Sequence, residues 1–131
     1  KRELDEWRNK EPSALKIALT FIAERPYYHK MTLNGEDYIF CHAGLRPGVP
    51  FSEQTTEDLL WMREKFYRYY DGKEKVFVGH TPVQYLSGGF AADDKPLRLK
   101  NNITMMDTGS FLPNGHISCM DVLSGQVWQS D

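Results

Sequence analysis

At 131 residues, with 40% hydrophobic and 13% aromatic residues, the chain has the length for one domain and enough apolar content for a real core. A net charge of −2 argues against a general nucleic-acid-binding surface, and no apolar run reaches the roughly 20 residues of a membrane span. Residues 1–12 are charged and polar, unlike the apolar stretch of a secretory signal, so a cytoplasmic protein is expected.

In chain order, residues 1–8 predict a charged amphipathic helix, with Leu4 and Trp7 on one face. Ser13 then reads as the N-cap of a helix through about Arg25, with Leu15, Ala18, Leu19 and Ile22 at helical spacing and Pro26 ending it. This helical pattern is the best in the chain, and the helix is expected to pack on a sheet. Residues 27–33 read as a strand, Asn34-Gly35 as a hairpin turn, and 37–41 as the return strand that delivers His42. Gly44, Pro47, Gly48 and Pro50 mark an irregular loop. Thr55 or Thr56 caps a single helix over 57–70, which carries Leu59, Leu60, Trp61, Met62 and Phe66.

Residues 75–79 form a short strand leading to His80, and Thr81-Pro82 imposes an extended exit. Gly88-Gly89 and residues 91–95 read as a surface loop. Residues 103–107 read as a strand that ends in Asp107-Thr108-Gly109. After a turn at Pro113-Asn114-Gly115, residues 116–122 alternate, with Ile117, Cys119 and either Met120 or Val122 inward. Ser124-Gly125 turns the chain into a last strand over 126–129. Helices and strands alternating first, then a closing β-meander, predict an α/β or α+β layered domain over residues 1–131. Cys41 and Cys119 lie in apolar runs with no partner at C-x₂₋₄-C spacing, and read as buried free thiols.

Two stretches carry the chemistry. Residues 38–45, Tyr-Ile-Phe-Cys-His-Ala-Gly-Leu, and 76–82, Val-Phe-Val-Gly-His-Thr-Pro, each read as a buried strand that presents one imidazole at its C-terminal end. His42 and His80 are candidate metal ligands, because neutral imidazole binds zinc, manganese, iron and nickel. Their small neighbours suit close approach of a ligand to the backbone. Arg63 is either a solvated helix charge or a guanidinium turned toward the metal end, where its planar fork suits phosphate. Arg46 has a similar, weaker claim. Asp107 is either a ligand, an acceptor for an imidazole N–H, or a turn residue at a strand exit; we favour the last. His29 and His116 read as ordinary surface residues. Trp61, Phe66, Tyr67, Tyr69 and Tyr70 read as a packed helix face.

Taken together, Phe40-Cys41-His42-Ala43-Gly44-Leu45, Asp58-Leu59-Leu60-Trp61-Met62-Arg63-Glu64, Gly79-His80-Thr81-Pro82 and Met106-Asp107-Thr108-Gly109 give the chain a specific likeness. In order and spacing these blocks resemble the PPP-type calcineurin-like metallophosphoesterases, in particular bacterial and phage serine/threonine protein phosphatases. The resemblance covers nearly the whole chain. It implies the C-terminal half of a four-layer αββα sandwich and a two-ion centre of manganese with iron or zinc. It also implies His42 and His80 as ligands of one ion, and Arg63 as a catalytic-site group on the substrate phosphate. The family's first three ligand blocks, Asp-x-His-Gly, Gly-Asp-x-x-Asp-Arg-Gly and Gly-Asn-His-Glu, do not occur here.

The start, which lacks Met, reads as the interior of a longer protein, and the chain alone is expected to be inactive. Its substrate is expected to be a phosphoprotein or small phosphoester, with no nucleic-acid or membrane partner. Apolar surface left open by the missing half predicts a homodimer. Alternatives are a symmetrical dinucleoside tetraphosphate hydrolase of the same fold, or a non-catalytic binding or regulatory domain.

Overall fold

The two apolar runs that end in histidine become adjacent parallel strands at the centre of one sheet. The structure, a computed structural model, describes residues 12–86 and 94–131. The helix expected over 1–8 and the Gly88-Gly89 turn lie outside the described residues, as does most of the expected loop over 91–95. Strands β1 (Tyr28–Leu33), β2 (Glu36–Cys41), β3 (Lys75–Val78), β4 (Leu97–Arg98) and β5 (Ile103–Met105) form a mixed five-stranded sheet in the order β1-β2-β3-β5-β4. The pairs β2–β3 and β3–β5 are parallel, and the two outer pairs are antiparallel. Strands β6 (Ser118–Met120) and β7 (Val127–Gln129) make a separate two-stranded hairpin. The domain is therefore mixed α/β, as expected.

The β1–β2 turn forms where the sequence places it. Asn34 and Gly35 both take positive φ, 52° and 79°, which matches the right-handed twist of a hairpin. The connection from β2 to β3 carries two short helices, α2 (Thr56–Trp61) and α3 (Glu64–Tyr69). Leu45, Leu59, Phe66 and Tyr70 from this connection bury against Ile39, Val76, Val78, Ile103 and Met105 of the sheet. Phe66 and Met105 are fully buried. On the other face of the sheet, Phe40 and Phe77 pack with ring centroids 5.2 Å apart, beside buried Tyr38 and Thr104.

Five expectations change. The single helix over 57–70 is broken at Met62 and Arg63, whose backbones (φ −60°, ψ 139°; φ −132°, ψ −122°) leave helical space. The cause is long-range. The carbonyl of Leu59, which an unbroken helix would bond to Arg63 N–H, instead accepts the N–H of Ala43 at 2.8 Å. The sequence has no Gly or Pro there to announce the break. Thr55 is the cap, and it forms a reciprocal box with Asp58: the Thr55 N–H donates to Asp58 Oδ2 at 2.8 Å, and the Asp58 N–H donates to Thr55 Oγ1 at 3.2 Å.

Helix α1 is described over Pro12–Ala23, so Ser13 is inside the helix rather than its cap. Nor does it pack on the sheet: Ile17, Leu19, Phe21 and Ile22 are all exposed, Ile17 at 70%. The neighbouring strand β1 is exposed along almost its whole length. The expected open apolar surface is thus present on α1 and β1.

The β6 alternation has the opposite parity. Ile117 and Cys119 face out, while Ser118, Met120 and Val122 are half-buried. Polar bonding selects this register: Ser118 Oγ lies 2.6 Å from Thr108 Oγ1 and accepts from Gln129 Nε2 at 3.1 Å. Only Cys41 is therefore held as a shielded free thiol, half-buried at the end of β2, and Cys119 is an exposed one. Among the described residues, no helix is long and apolar enough to cross a membrane.

Candidate functional site

Register brings the two histidines together. Phe40 pairs with Phe77 across β2 and β3, so two residues on, His42 lies opposite Gly79, whose N–H donates to the His42 carbonyl at 2.8 Å. His80 follows immediately. Its φ is 65°, and the N–H of Thr81 donates to the Gly79 carbonyl at 2.7 Å, which closes a three-residue turn centred on His80. A positive φ is costly for a residue with a side chain, and such strain collects at functional sites. The result is that His42 Nε2 and His80 Nδ1 are 3.1 Å apart, with ring centroids at 4.8 Å.

The two rings have unlike surroundings. His42 is exposed. His80 is half-buried, and the Trp61 ring meets it edge-on at a centroid distance of 5.6 Å. Its Nε2 is enclosed and has no hydrogen-bond partner among the described residues. Burial, then the nearby charge of Arg63 and the His42 ring, push the His80 pKa below its ordinary value, against a smaller opposing effect of Asp107. The neutral form is thereby favoured, which is the form that ligates a cation.

Arg63, freed from the helix by the break, reaches the same turn. Its Nη1 donates to Thr81 Oγ1 at 3.1 Å and, at 3.5 Å, to the His80 carbonyl. Tyr67 donates its hydroxyl to the same Thr81 oxygen. The three candidates His42, His80 and Arg63 thus converge on one end of the sheet. Sequence reasoning missed Thr81, which it read only as part of an extended exit, and took Trp61 and Tyr67 for helix packing. The signal for Thr81 was its place directly after the second histidine.

The other candidates go elsewhere. Arg46 makes a two-pronged ion pair with Asp58, Nη2 to Oδ2 at 2.6 Å and Nε to Oδ1 at 3.1 Å, so it ties the loop after β2 to the start of α2. Asp107 accepts the Gly109 N–H at 2.9 Å, the turn role favoured for it. His29 is an exposed residue on β1, as expected. His116 differs from expectation: Nδ1 donates to the Ser130 carbonyl at 2.6 Å and Nε2 lies 3.1 Å from Asp94 Oδ2, so it clasps the C-terminal hairpin. Gly44 serves packing rather than ligand approach, because a Cβ there would sit 2.7 Å from the buried Phe66 ring.

The pair can be tested against a cation by its bite. The tetrahedral angle usual for zinc would put two bound nitrogens roughly 3.4 Å apart, whereas two at the right angle of an octahedral ion, with bonds of about 2.1 Å, lie roughly 3.0 Å apart. The observed 3.1 Å fits that bite. The donor set is incomplete, however. Among the described residues, no group of three or more His, Cys, Asp or Glu side chains converges to hold a metal ion. The chain contributes two imidazole nitrogens, one guanidinium and one hydroxyl, an arrangement able to share a cation and an oxyanion at one end of the sheet. Comparison of the chain with protein-family models and with curated proteins finds no match.

Proposed function

We propose that this chain supplies part of the active site of a metal-dependent phosphoester hydrolase. In this reading the substrate is a phosphorylated serine or threonine in a protein, and the sheet is one of two in a four-layer αββα sandwich. One observation carries the reading: His42 Nε2 and His80 Nδ1 stand 3.1 Å apart at the ends of adjacent parallel strands, with Arg63 bound to the same turn. The free thiols of Cys41 and Cys119 suit a reducing compartment, and we assign the chain to the cytoplasm on that ground.

His42 and His80 would hold one divalent cation, manganese, iron or zinc, of a two-ion centre. The carboxylate ligands would come from outside the described residues. When bound, such a centre supplies Lewis acidity and water of lowered pKa. The chain's own residues then orient and neutralise. The Arg63 guanidinium presents a planar fork to phosphoryl oxygens, and Thr81 Oγ1 fixes its direction by taking one of its N–H groups. Trp61 shields one side of the His80 ring from water. The strained turn at His80 holds the donor nitrogen toward His42 before any ion arrives.

Two donors make a weak site, so the chain alone should not turn over p-nitrophenyl phosphate with added Mn²⁺. It should still bring Mn²⁺ and phosphate together. Phosphorus NMR should show faster relaxation of inorganic phosphate with Mn²⁺ and the chain together than with Mn²⁺ alone. His42→Ala and Arg63→Ala should each remove that excess. Equal relaxation with and without the chain would overturn the proposal. The 3.1 Å separation is also that of an imidazole–imidazole hydrogen bond, a purely structural clasp, and that outcome corresponds to no excess relaxation.

A further inference from the structure

Beside Arg63, and away from the histidines, an open groove of about 570 Å³ runs between α3 and the segment leading into and out of β4. Arg63, Tyr67, Thr81, Tyr85, Leu86, Leu97 and Leu99 line it. Leu97, Leu99 and Tyr67 also pack against the core, so this wall is anchored rather than loose. Its size is that of a ligand pocket rather than a packing gap.

The charge pattern of the groove is uneven. At the rim, Arg68 Nη2 is paired with Glu64 on the same helix, so those two charges offset one another. Arg63 has no carboxylate partner among the described residues, and its bonds use Nη1 alone. Among the described residues, the groove therefore presents one positive charge without a carboxylate partner beside an apolar wall. Its complement is a molecule with an anionic head and an apolar body attached to it. The three leucines carry no donors or acceptors with which to read a base edge, so they suit an aliphatic side chain; the polar lining comes from Arg63, Thr81, the Tyr67 and Tyr85 hydroxyls and the paired Glu64 and Arg68.

We infer that this groove selects the substrate sequence: it seats a large apolar side chain next to the phosphorylated residue, while Arg63 takes the phosphate. The inference rests on the proposed phosphoprotein reading and deepens it. Leu86, Leu97 and Leu99 are then specificity residues, and Arg63 is the point shared by the groove and the phosphate.

The test is methyl NMR of the chain, titrated with a short phosphothreonine peptide carrying Leu next to the phosphothreonine, and with the same peptide carrying Ser there. The expected result is movement of the Leu86, Leu97 and Leu99 methyl signals together with the Arg63 Nε–H signal, and about fivefold weaker binding of the Ser peptide. Leu86→Ser, at a partly exposed position, should weaken the Leu peptide similarly and leave the Ser peptide unchanged. If the Arg63 signal moves but the methyls do not, the groove inference is overturned and the phosphate reading stands. If neither moves, both fall. If the unphosphorylated Leu peptide binds equally well, or adenosine tetraphosphate moves the methyls and the peptides do not, the inference is overturned in favour of a site uncoupled from phosphate or built for a nucleotide. Because the comparison is between peptides, it decides the question even if the Leu86 variant fails to fold.

Discussion

Acid should release the start of α2, and the size of the effect follows from Asp58. This carboxylate accepts from Arg46 Nη2 at 2.6 Å and from the Thr55 N–H at 2.8 Å, and also from the Thr55 hydroxyl. Arg46 is the largest influence, and together these bonds hold the Asp58 pKa at about 2, against an ordinary 3.8. At about 1.4 kcal/mol per pH unit this sets a ceiling of roughly 2 kcal/mol. Asp58 is only 8% exposed, but it is covered by its own partners near the surface, and the Arg46 side chain is 46% exposed. Solvent screening of such a pair leaves about 1 to 1.5 kcal/mol.

The folded-state pKa is depressed, so the unfolded chain takes up the proton first as pH falls. The stabilisation is complete above about pH 4 and disappears as pH falls through about 2. The assay is urea unfolding followed by circular dichroism, for wild type and Asp58→Asn, at pH 6 and at pH 2. At pH 6 the variant should be less stable by about 1 to 1.5 kcal/mol, and at pH 2 the difference should nearly vanish. A difference that stays constant from pH 6 to pH 2 would refute the assignment to the Asp58 charge. Arg46→Met should abolish most of the pH-dependent part, since it removes the carboxylate's strongest partner.

Other consequences concern the core and the thiols. Phe66→Ala should cost about 3 to 5 kcal/mol in urea unfolding, because it empties a fully buried site between the helices and the sheet. A cost below about 1 kcal/mol would mean that α3 does not anchor that face. Gly44→Ala should destabilise by about 1 to 3 kcal/mol by driving a Cβ into the Phe66 ring, and Phe66→Leu should rescue part of that loss; no rescue would place the strain elsewhere. Burial pushes the Cys41 thiol up to about 12, whereas Cys119 is exposed, so an aromatic disulfide reagent at pH 8 should label one thiol rapidly and the other only on unfolding. Two rapid equivalents would contradict this. Open apolar side chains on α1 and β1 suit self-association, and we expect sedimentation equilibrium to report a dimer; a monomer at high concentration would count against it.

The parts of this fold that were legible are those fixed by local pattern. Tyr38 to Cys41 and Val76 to Val78 are continuous apolar runs, as strands with both faces covered should be, and both are central strands. Asn34-Gly35 named its own turn through two positive φ angles. The convergence of His42 and His80 was expected only through the family resemblance, and the parallel register of β2 and β3 is what places them side by side.

What was not legible depended on distant partners. The break at Met62 follows from Ala43 claiming the Leu59 carbonyl, and no residue in the helix signals it. That break is also what turns Arg63 toward Thr81 rather than along a helix face, so the site was harder to read than its histidines suggested. Ser118 faces inward because Thr108 and Gln129 bond it, overriding the apolar alternation of Ile117 and Cys119. Arg46 had a weaker claim as a phosphate-binding guanidinium in sequence, and its true partner, Asp58, lies on the next element. The periodicity of α1 describes an apolar face but does not say that anything covers it.

In the proposed function His42 and His80 grip one cation between them. Calorimetric titration with Zn²⁺ of wild type, His42→Ala, His80→Ala and the double variant tests this directly. Because neither nitrogen alone makes a site, each single variant should lose binding about as completely as the double variant. Zn²⁺ binding that survives both single substitutions, or losses that simply add, would contradict a shared ion.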